Sequence, residues 1–276
     1  MASEPRAARD RVTLADIAAA AGVSVPTVSK VLNGHPDVAP KTRSRVEALL
    51  DGRSQPGPEI IRTGTELRSM PLLPEIRLHQ AGDLISMWQR TEQAAGRDDL
   101  DPPFWAFPWA GGQALARYLL DHQETVLGRR VIDVASGSGL VAIAAAKAGA
   151  GTVTAYDTDP LAAAAIGLNA AANGVTVQAV CADILSEDGP PAPGADLVLV
   201  ADAFYERDLA SQVTEFVGRC RAEGADVLVG DLGRRYLPYS RLTALASYDV
   251  PGLGALESHD VIRTTVWTLS GPPVSG

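Results

Sequence analysis

Four carboxylates stand where this chain can do chemistry: Asp133, Asp157, Asp183 and Asp202, the last followed by Tyr205 in the string D-A-F-Y. Asp133 lies just before the small residues Ala135-Ser136-Gly137-Ser138-Gly139, which let a ligand approach the backbone closely. Asp157 falls about eighteen positions past Gly139, at the end of a β-branched run, where a carboxylate can accept hydrogen bonds from a ribose diol. An acid two places before the turn is ill-placed beside a pyrophosphate but suits a cationic amine. The residues therefore point to a ligand with a nucleoside at one end and an amine at the other. Spacing alone leaves its identity open, because dinucleotide-binding turns share these parts, although their G-x-G-x-x-G order is not the D-x-A-S-G-S-G found here.

These acids need strands to carry them. Val131–Val134 reads as a strand, the small residues as a turn, the Ala-rich segment after Gly139 as a helix, and Thr152–Ala155 as a second strand, which makes one βαβ unit. Leu161–Ala172 is composed as a helix closed by Asn173-Gly174. Val175–Val180 and Asp196–Val200 follow as strands, the latter a continuous apolar run suited to burial on both faces. Arg207–Arg221 reads as a helix, Asp226–Gly230 as a fifth strand and Tyr239–Ala246 as a short helix. Tyr248–Val250 and Val261–Leu269 form a terminal antiparallel pair. Such an order brings Asp157, Asp183 and Asp202 to one edge of a parallel sheet, the edge where ligands sit.

The chain has 276 residues, enough for one large or two unequal domains, with two cysteines and four histidines in no ligand spacing. Neither a disulfide framework nor a metal site is expected. No apolar run is long and uncharged enough to span a membrane, and MASEPRAARDR lacks the apolar core of a signal peptide, so the reading is a cytoplasmic protein. Residues 1–55 hold eight Lys/Arg against six Asp/Glu, a balance of +2 that leaves −11 for the remainder of a chain at −9. Two parts so different in charge suit different partners.

In the basic part, Thr13 caps a helix whose apolar face runs through Ala21, Gly22-Val23-Ser24 is a tight turn, and a second helix spans Val25 to about Leu32. A third is expected over Pro40–Leu50. The string TLADIAAAAGVSVPTVSKVLNG with VAPKTRSRVEALL resembles the DNA-binding headpiece of the lactose-repressor family, an all-α helix-turn-helix domain placed here at residues 11–51. The resemblance implies that Val25, Pro26 and Lys30 face major-groove base edges of double-stranded DNA. Thr27, Ser29, Asn33, Lys41, Thr42 and Arg43 would meet phosphates. The family continues into a hinge helix and a dimerising sensor domain. This chain runs instead into GRSQPGP, read as the start of a linker over 52–69, so DNA binding by a monomer would be weak and salt-sensitive.

Residues 59–90 mix aliphatic side chains with prolines and suggest a short strand or two. Then comes DPPFWAFPWAGGQALARYLLD, a stiff aromatic segment leading into a helix over Gln113–Leu120. Trp105 and Trp109 either plug the domain edge or line a pocket, where an aromatic face near a sulfonium gains about 0.5 to 2 kcal/mol.

The D-x-A-S-G-S-G turn resembles motif I of the class I S-adenosylmethionine (SAM) methyltransferases, with Ala135 in the place of the usual first glycine. PFWAFPWAGGQALARYLLD, DVASGSGLVAIAAAKAGA and AYDTDPLAAAAIGLNAAANG together are similar to the electron-transfer-flavoprotein beta-subunit lysine methyltransferase family, whose bacterial relatives are often labelled nicotinamide N-methyltransferase-like. The similarity spans about residues 70–270. It implies a seven-stranded Rossmann-like fold and SAM as cofactor, held by Trp105, Trp109, Asp133, Ala135, Ser136, Gly137, Gly139 and Asp157. Asp183 would accept from the adenine amine and Ile184 would pack on the ring. D-A-F-Y matches the D-x-x-Y element of seven-strand lysine methyltransferases, which implies that Asp202 guides an ammonium in and Tyr205 aligns the amine with the methyl. The expected acceptor is a protein lysine. A small amine such as nicotinamide remains open, and so does a DNA-binding regulator whose α/β domain only senses SAM.

Overall fold

The computed structural model describes residues 14–32, 38–39, 42–43, 46, 57–186, 194–252 and 260–269. The chain divides into two compact units, Met1–Gln55 and Pro56–Gly276.

In the first unit, helices α1 (Leu14–Ala21) and α2 (Val25–Leu32) flank a turn in which Gly22 takes a φ of +60° and Val23 N donates to Ala18 O at 2.9 Å. Ser24 starts α2: Thr27 N donates to its backbone oxygen, and the Ser24 and Thr27 hydroxyls lie 2.9 Å apart. Ile17, Ala18, Ala21, Val28, Val31, Val38 and Val46 form a core of their own. Thr13 and most of the helix expected over Pro40–Leu50 lie outside the described residues.

The second unit opens with helix α3 (Pro58–Gly64), the hairpin β1 (Glu66–Met70) and β2 (Leu73–Gln80), and helix α4 (Leu84–Ala95). The linker expected over 52–69 is thus corrected from Pro58 onward. Pro58 occupies the first turn of α3, where its missing N–H costs nothing, and Ile61 anchors the helix at 0% exposure. Leu84–Trp88, expected among short strands, belongs to α4, which Asp83 caps by accepting from Ser86 N at 2.7 Å.

Helix α5 (Ala110–Asp121), strand β3 (Arg130–Val134), helix α6 (Leu140–Lys147), strand β4 (Thr152–Asp157), helix α7 (Pro160–Ala172) and strands β5 (Gln178–Cys181) and β6 (Leu197–Ala201) follow. Helix α8 (Arg207–Ala222), β7 (Asp226–Asp231), β8 (Leu242–Pro251) and β9 (Val261–Leu269) complete the unit. The seven-stranded sheet has the order β5-β4-β3-β6-β7-β9-β8, parallel from β5 to β7 and antiparallel where β9 pairs with β7 and β8. This is the α/β Rossmann-like arrangement expected.

Why the central strands read as unbroken apolar runs is plain from their two faces. Val131, Leu197, Leu199 and Leu228 pack under α5, α6 and α7, while Ile132, Val134, Val198, Val200, Val227 and Val229 meet α8 on the other side. Residues 197–200 are all at 0% exposure.

Two other boundaries differ from expectation. The third parallel strand is Gln178–Cys181 rather than Val175–Val180; Val175 and Val177 pack against the core from the connection instead. Tyr239–Ala246 is not a helix: a single turn at Tyr239–Arg241 runs into β8, whose residues gain backbone partners from β9, with a bulge at Ala244/Ala246. Partners distant in sequence outweigh local helix propensity there.

Candidate active site

The strand order turns back between β3 and β6, so a crevice opens beyond their carboxyl ends. A cavity of about 740 Å³ lies there, of the size that holds a nucleoside-bearing ligand. Its wall includes Trp105, Trp109, Asp133, Ala135–Ser138, Asp157, Asp183, Ile184, Asp202 and Tyr205, so the structure brings together nearly every residue singled out in the sequence for this unit. Gly139 supports the turn from behind: a Cβ on it would meet Ile166 at 3.2 Å.

The turn after β3 is bent by left-handed backbone at Ala135 (φ +51°) and Gly137 (φ +56°). Ala135 pays a steric penalty in that conformation, the physical reason a glycine is usual at its position. Asp133, 1% exposed, accepts from Ser136 Oγ at 2.5 Å and from Ala142 N at 3.1 Å, which joins β3, the turn and α6. Burial pushes its carboxyl up to about 7, against the lowering effect of those two donors and with a smaller raising effect of Asp157. Asp157 accepts Gly137 N at 2.8 Å through one oxygen and Asp159 N at 2.9 Å through the other, and burial raises it as well. Asp159, pushed up to about 6 mainly by burial, caps α7 by accepting Leu161 N at 2.7 Å and adds a carboxylate to the same wall. Asp183 is exposed in the loop after β5, and its Oδ1 accepts from Leu185 N and Ser186 N; Ile184 is buried at 4%.

Opposite the turn, the short helical turn Phe104–Ala106 delivers the aromatic segment. Trp105 is 1% exposed, its Cα would lie 3.8 Å from a Cβ on Gly137, and its indole Nε1 is buried without a hydrogen-bond partner among the described residues. Trp109 Nε1 donates to Phe104 O at 2.9 Å, and the Phe104 ring lies 5.9 Å from that of Trp109 and 6.1 Å from that of Tyr205. Tyr205 is 51% exposed; partial burial raises its hydroxyl, and Glu206, Asp101 and Asp157 add to the effect.

Asp202 sits just past β6 with a left-handed φ of +57°. Its N donates to Gly230 O at 3.0 Å, its Oδ1 accepts from Gly111 N at 3.1 Å and Arg234 Nη1 at 2.5 Å, and its Oδ2 accepts from Gly112 N at 2.7 Å. Gly111 is required there, whereas a Cβ on Gly112 would meet nothing nearer than Leu140 Cδ2 at 3.7 Å. A Cβ on Gly111 would stand 2.3 Å from Gly230 O and 2.7 Å from Asp202 Oδ2, so a side chain would lift α5 off its anion. Burial raises the Asp202 carboxyl, opposed by Arg234.

Sequence reasoning missed Gly111, Gly112, Asp159, Asp231 and Arg234. Asp231 carried the same signal as the other acids, a carboxylate ending a strand, but its partner Arg234 gave none.

Among the other expected residues, Val25 is 41% exposed, Pro26 and Lys30 are exposed, and Thr27, Ser29, Thr42 and Arg43 are half-buried in the first unit. Asn33 and Lys41 lie outside the described residues. Among the described residues, no group of His, Cys, Asp and Glu could hold a metal and no helix is long and apolar enough to cross a membrane.

Three features fit a cofactor with a cationic amine and an adenosyl group. A buried indole N–H lacks an acceptor among the described residues, a left-handed turn brings backbone to the wall, and a buried carboxylate needs a cation beside it to ionise fully at neutral pH.

The family model for bacterial regulatory proteins of the lacI family matches residues 13–52, and that for ribosomal protein L11 methyltransferase (PrmA) matches residues 113–218. The electron transfer flavoprotein beta subunit lysine methyltransferase of Xenopus laevis is 37% identical over 211 residues, 74% of this chain and 83% of the relative. The protein of the same name from Homo sapiens is 35% identical over 223 residues, 76% and 82% of the two chains. The ribosomal protein L11 methyltransferase of Geobacter sulfurreducens is 37% identical over 139 residues, 50% of this chain and 44% of that one. On that likeness, and with a site built to suit, the chain is a SAM-dependent methyltransferase and belongs to the family of the electron transfer flavoprotein beta subunit lysine methyltransferases.

Proposed function

We propose that the larger unit, Pro56–Gly276, methylates lysine side chains of a protein, and that residues 11–51 form a lacI-type headpiece that brings it to double-stranded DNA. The relatives' lysine specificity supports the first part, and one observation carries it: Tyr205 stands half-exposed at the cavity, flanked by the Phe104 ring and next in the chain to Glu206, with Asp202 on the same cavity wall. When bound, SAM supplies an electrophilic methyl on a sulfonium.

The chain's residues do the rest. Asp133, Ser136, Gly137 and Asp157 hold the cofactor's amine and ribose end, Ala135 and Gly139 shape the turn, Trp105 and Trp109 cover it, and Asp183 and Ile184 take the adenine. A lysine amine has a pKa of about 10.4 in water and must lose its proton to attack. Carboxylates at the mouth draw the ammonium in, and desolvation against Phe104 and Tyr205 favours the neutral amine. Tyr205 Oη then aligns the amine, and alignment supplies much of the barrier reduction. Phe104 and Tyr205, both on the cavity wall with ring centroids 6.1 Å apart, offer apolar surface suited to an aliphatic stem.

Incubating the full chain with tritiated SAM and cell lysate tests this. Label in a protein band that mass spectrometry places on lysine supports the reading, whereas label confined to small molecules shows a free amine as acceptor. Binding of SAM without any transfer would show a sensor.

The headpiece reading rests on the lacI family match and on the exposed start of α2, with Val25, Pro26 and Lys30 toward solvent. Thr27, Ser29, Thr42 and Arg43 stand as phosphate contacts, with Asn33 and Lys41 as sequence candidates. Filter binding of genomic fragments at several salt concentrations, with and without residues 1–55, tests it. Retention that needs the headpiece and falls steeply with salt is expected.

A further inference from the structure

At the cavity wall the acid of D-A-F-Y belongs to a part-buried charged cluster whose other members, Arg234 and Asp231, no motif marks. Arg234 is 16% exposed at its side chain, and its Nη1 lies 2.5 Å from Asp202 Oδ1 and 3.3 Å from Asp231 Oδ2. Asp231 ends β7 at 0% exposure and turns the chain back on itself by accepting Gly233 N and Arg234 N, both at 2.7 Å. The arginine is therefore oriented by the carboxylate that precedes it, and its other contact is the acid of D-A-F-Y.

Two carboxylates against one guanidinium leave one negative charge. The start of α5 offsets part of it, through Gly111 N and Gly112 N. The remainder faces the cavity, because Asp202 and Arg234 both line it while Asp231 does not. Of the two carboxylates, Asp202 alone can meet an incoming cation, and it has acceptor capacity left on Oδ2, which takes a single donor.

We propose that Arg234 is a positioning residue for methyl transfer: it fixes Asp202 on the start of α5 as the anion that the acceptor's ammonium meets. Asp202 is unfavourably placed without that help. Burial alone drives a carboxylate toward its neutral form, and a left-handed φ costs an aspartate free energy that only its surroundings can offset. Arg234 opposes that drive, and the α5 amides set the direction. The assignment rests on the proposed amine acceptor for its purpose, but its electrostatic core can be measured without any acceptor.

The experiment is a carbon-13 titration of aspartate carboxyls in the full chain, with the Asp202 signal assigned by its loss in D202N. Asp202 is flanked by Arg234 and Asp231, the start of α5 and the β7 end, so two substitutions act with opposite sign. Arg234→Met removes the cation and moves the Asp202 midpoint up by about one pH unit or more; Asp231→Asn removes the like charge and moves it down. Arg234→Lys keeps the charge and returns the midpoint toward that of the parent. Arg234→Gln, which keeps a donor to Asp202 without charge, is the milder variant if Arg234→Met does not fold. In turnover assays, kcat falls in the Met and Gln variants and recovers in the Lys variant, more than affinity for SAM changes.

A midpoint that stays in place when Arg234 loses its charge, or that moves the same way in both substitutions, overturns the assignment. If the chain proves to methylate no amine, the lysine reading fails on that result, and the titration still decides whether Arg234 holds Asp202.

Discussion

Replacing Asp133 by Asn separates the electrostatics of the cofactor turn from its shape. Asn can keep both contacts, because Ser136 Oγ and Ala142 N donate to the same oxygen, Oδ2, whose place the amide carbonyl takes, so the change removes charge with little loss of packing. Without SAM, the carboxyl is raised from the ordinary 3.8 to about 7 by burial. The sign follows from linkage. Above pH 3.8 the unfolded chain releases this proton while the folded chain retains it, so the folded state loses stability as pH rises and the loss is complete once pH passes about 7. At 1.36 kcal/mol per pH unit that loss is about 4 kcal/mol, an upper value because the fold can relax around the charge. Urea unfolding of the SAM-free chain between pH 4 and 8 should show the decline in the parent, and in D133N a decline smaller by that order, with the mutant the more stable at pH 8. A bound cationic amine favours the ionised carboxylate, so SAM binding near pH 6 should expel about one proton from the parent and none from D133N, as calorimetry in buffers of different ionisation enthalpy reports. The substitution should weaken SAM about 10- to 100-fold, the worth of a charge-assisted hydrogen bond. Parallel pH–stability profiles for the two proteins, or equal proton release, would refute the placement of Asp133 as a buried carboxylate awaiting a cation.

Ala135 holds a φ of +51°, so Ala135→Gly should stabilise the fold by up to about 1 kcal/mol in thermal unfolding, the steric relief exceeding the added chain entropy. Asn169, at 0% exposure, accepts His79 N and donates to Ser138 O, each at 2.8 Å, and so pins hairpin β1–β2 and the cofactor turn to α7. Asn169→Ala strands both partners and should cost about 2 to 4 kcal/mol in urea unfolding, with weaker SAM binding by calorimetry. Tyr205→Phe keeps the ring against Phe104 and removes the hydroxyl; kcat on a protein acceptor should drop about 10- to 100-fold while SAM affinity holds, and unchanged turnover would remove the hydroxyl from the proposed alignment. Gly111→Ala should lower the melting temperature and kcat together, because its Cβ would overlap Gly230 O at 2.3 Å.

What the sequence determined by itself was whatever short-range physics decides. The β-branched runs, the small-residue bend and the Ala-rich helices specify β3, α6, β4 and α7, and an acid that ends a parallel strand must emerge at the sheet's carboxyl edge whatever packs around it. Asp133, Asp157 and Asp202 were legible for that reason, and Tyr205 with them. Tertiary structure alone decided where chain segments far apart in sequence meet. Asp202 takes its donors from Gly111, Gly112 and Arg234, which lie 91, 90 and 32 positions away, and no local pattern encodes such a meeting. The helix anticipated at Tyr239–Ala246 became strand β8 because β9 offered it a ladder of backbone partners, a gain that intrinsic propensity does not include. Even the acid of D-A-F-Y changed meaning on folding. As a residue in a string it is an acid at a strand end; in the folded chain its carboxyl is tied to a helix start and a part-buried arginine, and those ties set its direction.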